Sequence, residues 1–285
     1  MRINPLFSVL AAVLLGLGMG SIAAQTKAAP TAAQAPLTLA VSEGSSGDNL
    51  DPMSLVNKYR PLAETLGKAI GRDIIVTPVR SFESLEQGMK KDDYDFAMAR
   101  PGDYIGRGVR DYGYSLIATA KPDGQCFFLV DKSSSLKKIE DIKGKQIAAP
   151  PKISYMFVLC NAELRDRGID VKKEQIKYVA DQNMVSWTVE NKMADVGLMA
   201  SYNNIAKTWE KNGNRILHKS APQPYFPLAA SKRITPDQVT KMQKVLADLG
   251  ASEDGKKILA SIGIQGYNIE SKERLLNLLK WLEKS

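Results

Sequence analysis

Arg80 and Arg100 each follow directly on a short run rich in β-forming residues, 74–79 and 94–99. Hydroxyl-bearing residues stand close by, Ser81 beside the first and Tyr104 beside the second. A guanidinium is a planar fork of donors that pairs with carboxylate and phosphate oxygens. In open α/β sheets, the loops at the carboxyl ends of strands are where ligands meet the unpaired N–H groups of helix N-termini. The pattern therefore predicts an anion site built from such loops. The same placement adds Ser42 and Glu43 after the run 37–41, and Ser154 and Tyr155 after 146–149. It also adds Asp181, Gln182 and Asn183 after 176–180, and Ser201 with Tyr202 after 194–199. Asp181 fits an anion only where it takes up a proton or a donor group of the ligand, because a bare carboxylate repels one.

Other chemistry finds little material. His218 is the only histidine and falls in an expected strand, far in sequence from other possible ligands, which suits a structural role. No nucleophile with a neighbouring base stands out, nor does a metal-ligand cluster. The one glycine-rich string, Gly16 to Gly20, lies in the N-terminal apolar run and follows no strand that could make it a phosphate loop. The reading is a protein that is not an enzyme and needs no metal or cofactor. Cys126 and Cys160 are the only cysteines. One disulfide, two buried thiols, or a thiol site for a soft ion are all compatible with their spacing.

The elements that must position these residues alternate. Short β-rich runs and amphipathic helices follow one another from Leu37 onward, the signature of an α/β architecture with largely parallel strands. Asp51 and Pro52 form a helix start, with Leu55, Tyr59, Leu62 and Leu66 on one face and Gly71 as the stop. Pro101 opens a further helix, and Trp187, Trp209 and Trp281 fall on helices, where core packing is expected. The chain crosses into a second lobe after Pro122 and returns near Tyr225. Lobe 1 is thus residues 37–122 with 225–285, and lobe 2 is residues 123–224. Each lobe is expected to be a mostly parallel sheet flanked by helices, and two hinge strands join them. Two crossings make a hinge that closes on a ligand between the lobes.

The N-terminus reads as a secretory signal peptide over residues 1–24: Met1 and Arg2, an apolar run from Leu6 to Met19, then Ser21, Ala23 and Ala24. Residues 25–36 are Ala- and Pro-rich and read as a loose tether. The expected location is the periplasm. The formal net charge is +8, yet the basic residues are interleaved with acids, as in the KKDDYD of residues 90–95. The surface therefore reads as solvated, without a nucleic-acid face, and its cationic bias favours encounter with small anions. A monomer is expected.

Several segments resemble the periplasmic binding proteins of phosphate, phosphite and phosphonate uptake (PhnD-like, of the type II periplasmic binding fold). Tyr59-Arg60-Pro61-Leu62-Ala63 with Leu66 is similar to that family's Tyr-x-Pro-Leu-Ala helix. Asp95-Phe96-Ala97 followed by Pro101 and Tyr104 is similar to its Asp-(Ile/Val)-Ala…Gly-Pro-x-x-Tyr segment, and Leu136 to Lys145 to the opener of its second domain. Two departures stand out. Where the family carries a Ser-Thr-Ser-Gly turn that holds phosphonate oxygens, this chain reads Pro151-Lys152-Ile153-Ser154-Tyr155-Met156, and Arg100 replaces the family's Gly before Pro. The resemblance implies a binding protein for a small anionic ligand such as a phosphonate-like oxyanion, delivered to an ABC permease. Relatives that present oxyanions such as arsenite to a membrane sensor kinase supply the alternative partner.

Overall fold

The computed structural model describes residues 35–43, 51–100 and 102–284. The signal peptide, the tether up to residue 34 and Pro101 as a helix opener lie outside those residues. The first strand, β1 (Leu37–Ser42), pairs in parallel with β2 (Ile74–Pro78) and β3 (Phe96–Ala99) on either side. Between β1 and β2 runs α1 (Pro52–Ile70). It starts where the Asp51 carboxylate accepts from the amides of Met53 and Ser54 at 2.9 and 3.0 Å, and it stops where Gly71 turns left-handed at φ 66°. Leu55, Tyr59, Leu62 and Leu66 are all buried, as their shared face requires. Next come α2 (Phe82–Lys91), α3 (Gly102–Asp111) and β4 (Ser115–Lys121).

The second sheet starts with β5 (Cys126–Val130) and continues with β6 (Gln146–Ala149), α4 (Tyr155–Asp166), β7 (Gln175–Tyr178) and α5 (Gln182–Glu190). It closes with β8 (Val196–Ala200), α6 (Asn204–Thr208) and β9 (Arg215–Lys219). The chain then rejoins the first sheet through β10 (Leu228–Ala230) and finishes with α7 (Pro236–Asp248), α8 (Glu253–Ser261), β11 (Gly266–Asn268) and α9 (Lys272–Leu282). Strand order is β11-β4-β10-β3-β1-β2 in one sheet and β7-β6-β8-β5-β9 in the other.

The two-lobed α/β class holds, with sheets that are mixed. β1, β2 and β3 are mutually parallel, as are β6, β7 and β8, because helical crossovers join them. The strands next to the crossings, β4, β5, β9, β10 and β11, pair antiparallel. β11 falls in a stretch that the sequence left between two helices.

One buried apolar cluster runs from Phe96 and Met98 through Tyr225 and Phe226 to Phe128 and Leu198, so the two sheets share a core at the crossings. Cys126 on β5 and Cys160 on α4 form a disulfide, which pins the helix to its sheet. His218 is structural: its Nε2 meets Glu163 Oε1 at 2.8 Å and its ring packs on Phe128. Trp209 is fully buried and donates to two carbonyls, whereas Trp187 is 47% exposed on α5, against the core expectation, because its side of that helix faces away from the sheet.

Candidate functional site

Between the two sheets lies a cavity of about 680 Å³. Glu43, Lys58 and Arg100 line it from the first sheet and α1. Asn183, Ser201, Tyr202, Asn203, Asn204 and Lys207 line it from the second, and the crossings add Pro122, Asp123 and Tyr225. The turn after α8, residues 260–265, closes one side.

Arg100 is the residue after β3. Its amide donates to the Ser42 carbonyl at 2.9 Å, which extends the β1–β3 pairing and fixes where the side chain departs. That side chain is only 10% exposed. Its guanidinium carbon stands 4.5 Å from the Phe226 ring centre and 5.3 Å from that of Tyr202, while Nη2 donates to the Ile262 carbonyl at 3.2 Å. Nε is buried without a partner. Gly263, at φ 76°, lets the turn come close; a Cβ there would stand 3.8 Å from Nη2. Burial opposes the charge of Arg100, but Tyr59 and Glu43 outweigh it and raise the pKa, so the guanidinium stays charged. Phe226 reaches its place under Arg100 from a left-handed backbone at φ 49°, which costs roughly 1 kcal/mol or more for such a residue.

Glu43 accepts from Lys58 Nζ at 2.5 Å and from the Tyr59 hydroxyl, and its Oε1 lies 4.0 Å from Arg100 Nη2. Burial works to raise its pKa; Arg100, Lys58 and Tyr59 overcome that and hold the carboxyl below the usual range. Opposite, Tyr202 stacks on Tyr225 with ring centres 4.6 Å apart and planes 9° from parallel. Burial raises the pKa of both hydroxyls, so both stay protonated and can donate. Ser201 Oγ accepts from the Gln125 amide at 3.0 Å, leaving its own proton available. Asp123 is offset by Arg274.

Of the thirteen residues the sequence nominated, Glu43, Arg100, Asn183, Ser201 and Tyr202 line the cavity. Ser42 lies just behind the wall, buried, its Oγ without a partner. The others lie outside the cavity lining. Arg80 is exposed at the end of β2, the edge strand farthest from the crossings, and Ser81 caps α2 through the Ser84 amide. Tyr104 packs between Phe82 and Arg107, with ring centres 5.5 Å apart and the guanidinium carbon 4.2 Å from the ring, away from the cavity lining. Ser154 caps α4 through the Phe157 amide, and Tyr155 is buried with its hydroxyl 3.4 Å from the Pro224 carbonyl. Asp181 caps α5 through the Met184 amide, and Gln182 Oε1 accepts from the Ala200 amide.

Lys58, Asp123, Asn203, Asn204, Lys207, Tyr225 and the turn 260–265 were not nominated. Lys58 adjoins Tyr59, whose burial was legible, so its nearness to the wall could have been read from the helix. Nothing local marks the turn. Among the described residues, no group of three or more His, Cys, Asp and Glu side chains could hold a metal ion, and no helix is long and apolar enough to cross a membrane.

The comparisons with known proteins agree on the architecture. A protein from Xanthomonas citri bound to chloride ion superposes with TM-score 0.68 at 16% identity, over 86% of this chain and 97% of its own. PhnD1 from Prochlorococcus marinus in complex with methylphosphonate gives 0.67 at 14% identity, over 87% and 97%. A binding protein component of an ABC phosphonate transporter from Pseudomonas aeruginosa gives 0.63 at 17%, over 87% and 86%. Comparison with curated proteins finds no match. The sequence pattern of one family, described as ABC transporter, phosphonate, periplasmic substrate-binding protein, covers residues 49–275. A bilobal α/β fold with a charged cavity between its sheets, matched by that pattern over most of its length, belongs to the periplasmic substrate-binding proteins of phosphonate ABC transporters.

Proposed function

We propose that this protein captures a small anionic solute in the cavity between its sheets and hands it to an ABC permease. The lobes, residues 37–122 with 225–285 and residues 123–224, close on the solute about the two crossings. The observation that carries this reading is Arg100: buried, charged, and held in the cavity wall by Ser42, Phe226 and Ile262. A buried guanidinium with unspent donors is stabilised by an anionic guest. Family membership supports the transport role, and the methylphosphonate bound to the Prochlorococcus relative supports the choice of an anion. Pairing of Cys126 with Cys160 leaves no free thiol in the chain, which weighs against the thiol route to a soft oxyanion such as arsenite.

The test is thermal stabilisation across a panel of phosphate, methylphosphonate and organic carboxylates, with small-angle scattering of the best partner. Stabilisation by at least one anion, its loss in Arg100→Ala, and contraction on binding are expected. A flat panel from a well-folded sample would remove the reading, and unchanged scattering at saturation would remove hinge closure.

A further inference from the structure

We infer that the C-terminal helix α9 is a clasp that grips the second lobe behind the crossings and holds the cavity open until a solute closes it; this rests on the hinge closure proposed above. α1 and α3 pack on opposite faces of the first sheet, Leu55 and Leu62 with one apolar cluster and Ile105 with another. α4 and α5 divide the faces of the second sheet in the same way, with Leu159 and Leu164 on one side and Val185 and Val189 on the other. The cavity belongs to one pair of faces, where α1 and the turn after α8 stand across from α5 and α6. The other pair is in direct contact, because α9 packs on both α3 and α4. Among the described residues, none of α3, α4 or α9 lines the cavity.

The crossings run between these two sides. Asp123 lines the cavity yet pairs with Arg274 of α9, and the Pro224 carbonyl faces the Tyr155 hydroxyl of α4 at 3.4 Å. Rotation about a line through the crossings moves the two sides in opposite senses, so narrowing the cavity draws α4 away from α9. α9 is fixed to the first lobe, with Leu275, Leu278 and Leu279 buried and Glu283 paired to Arg110 of α3 at 2.6 Å. Its end reaches across to the second. The Arg165 guanidinium of α4 donates to the carbonyls of Trp281 at 2.9 Å and Lys284 at 2.8 Å, and the Trp281 indole N–H donates to the Asp166 carboxylate. Carbonyls at a helix C-terminus are short of partners, and a cation there also suits the helix dipole. Each bond is modest, but two shapes of similar free energy are re-weighted by a few such bonds made in only one of them.

The test compares Arg165→Gln and Trp281→Phe with the wild type, by small-angle scattering without ligand and by calorimetry with methylphosphonate. Arg215→Gln is the control, because Arg215 also donates to two carbonyls, those of Ser134 and Leu136, but within the second lobe. Melting curves check folding. Both clasp variants are expected to be more compact than the wild type before ligand is added, and to bind methylphosphonate roughly three- to ten-fold tighter because more of the protein is already closed. Arg215→Gln is expected to match the wild type in both readings. Clasp variants that keep wild-type shape and affinity, beside a wild type that contracts on methylphosphonate, would overturn the clasp and leave hinge closure standing. Weaker binding or a looser shape in them would overturn it too, as would an equal gain in Arg215→Gln, which would trace the effect to general loosening. If no sample changes shape, with or without methylphosphonate, hinge closure and the clasp fall together.

Discussion

The wall that the first sheet and α1 give to the cavity carries Glu43, Lys58 and Arg100, with both cations paired to the one carboxylate. The wall from the second sheet offers Asn183, Ser201, Tyr202, Asn203 and Asn204, all neutral, with Lys207 its one charge among the described residues. The difference teaches how the labour of binding is divided. Arg100 sits one residue beyond a central strand, where its amide extends the sheet pairing. The neutral residues of the second wall bring no further desolvated charge to the cavity, where its burial would be costly. Its caps, Ser154, Asp181 and Asn203, are already spent on backbone amides.

Separating the walls is the way to break this comparison. The largest effect is expected from replacing Cys126 and Cys160 together by serine, which frees a link spanning 34 residues inside the second lobe. About 4 kcal/mol of stability should be lost in urea unfolding. Affinity per folded molecule should change little, and a parallel fall in affinity would mean that the walls are not separable. Next is Arg100→Ala: truncating a buried hydrogen-bonded charge should weaken anion binding by roughly 3 kcal/mol, more than a hundred-fold, in calorimetry. An equal loss from Ser201→Ala would contradict the assignment of charge to one wall. Smaller again, Asp181→Ala should cost about 1 kcal/mol of stability through the lost cap, with affinity almost unchanged.

The smallest is the pH response of Glu43. Its carboxyl titrates below the usual value of 4.5 in the folded protein, so its contribution to stability is present above that pH and is lost as pH falls through the depressed folded value. Thermal melts below pH 4.5 should show this loss, and Glu43→Gln should flatten that limb.

Arg80 and Arg100 show how far the sequence carries. Both follow a strand and both have hydroxyl neighbours, and nothing local tells them apart. The strand order does: β3 lies beside β10, at the crossing, whereas β2 is the sheet edge, so one arginine faces the second lobe and the other faces water. Ser154 and Asp181 illustrate a second limit. A residue placed to touch a ligand is equally placed to cap the helix that follows, and the cap is decided by local geometry that composition does not reveal. Lys58 and the turn 260–265 reach the cavity only because α1 and α8 pack where they do.

By itself the sequence determined the alternation of strands and helices, the Asp51 start and Gly71 stop of α1, the loops from which a site could be drawn, and the family, because these follow from local propensity, periodicity and short motifs. The tertiary structure alone decided that Cys126 meets Cys160, that Arg100 and not Arg80 is enclosed, and that Tyr202 stacks on Tyr225. Each of those depends on bringing together segments far apart in the chain, and the burial that makes a charge valuable exists only once two sheets have met around it.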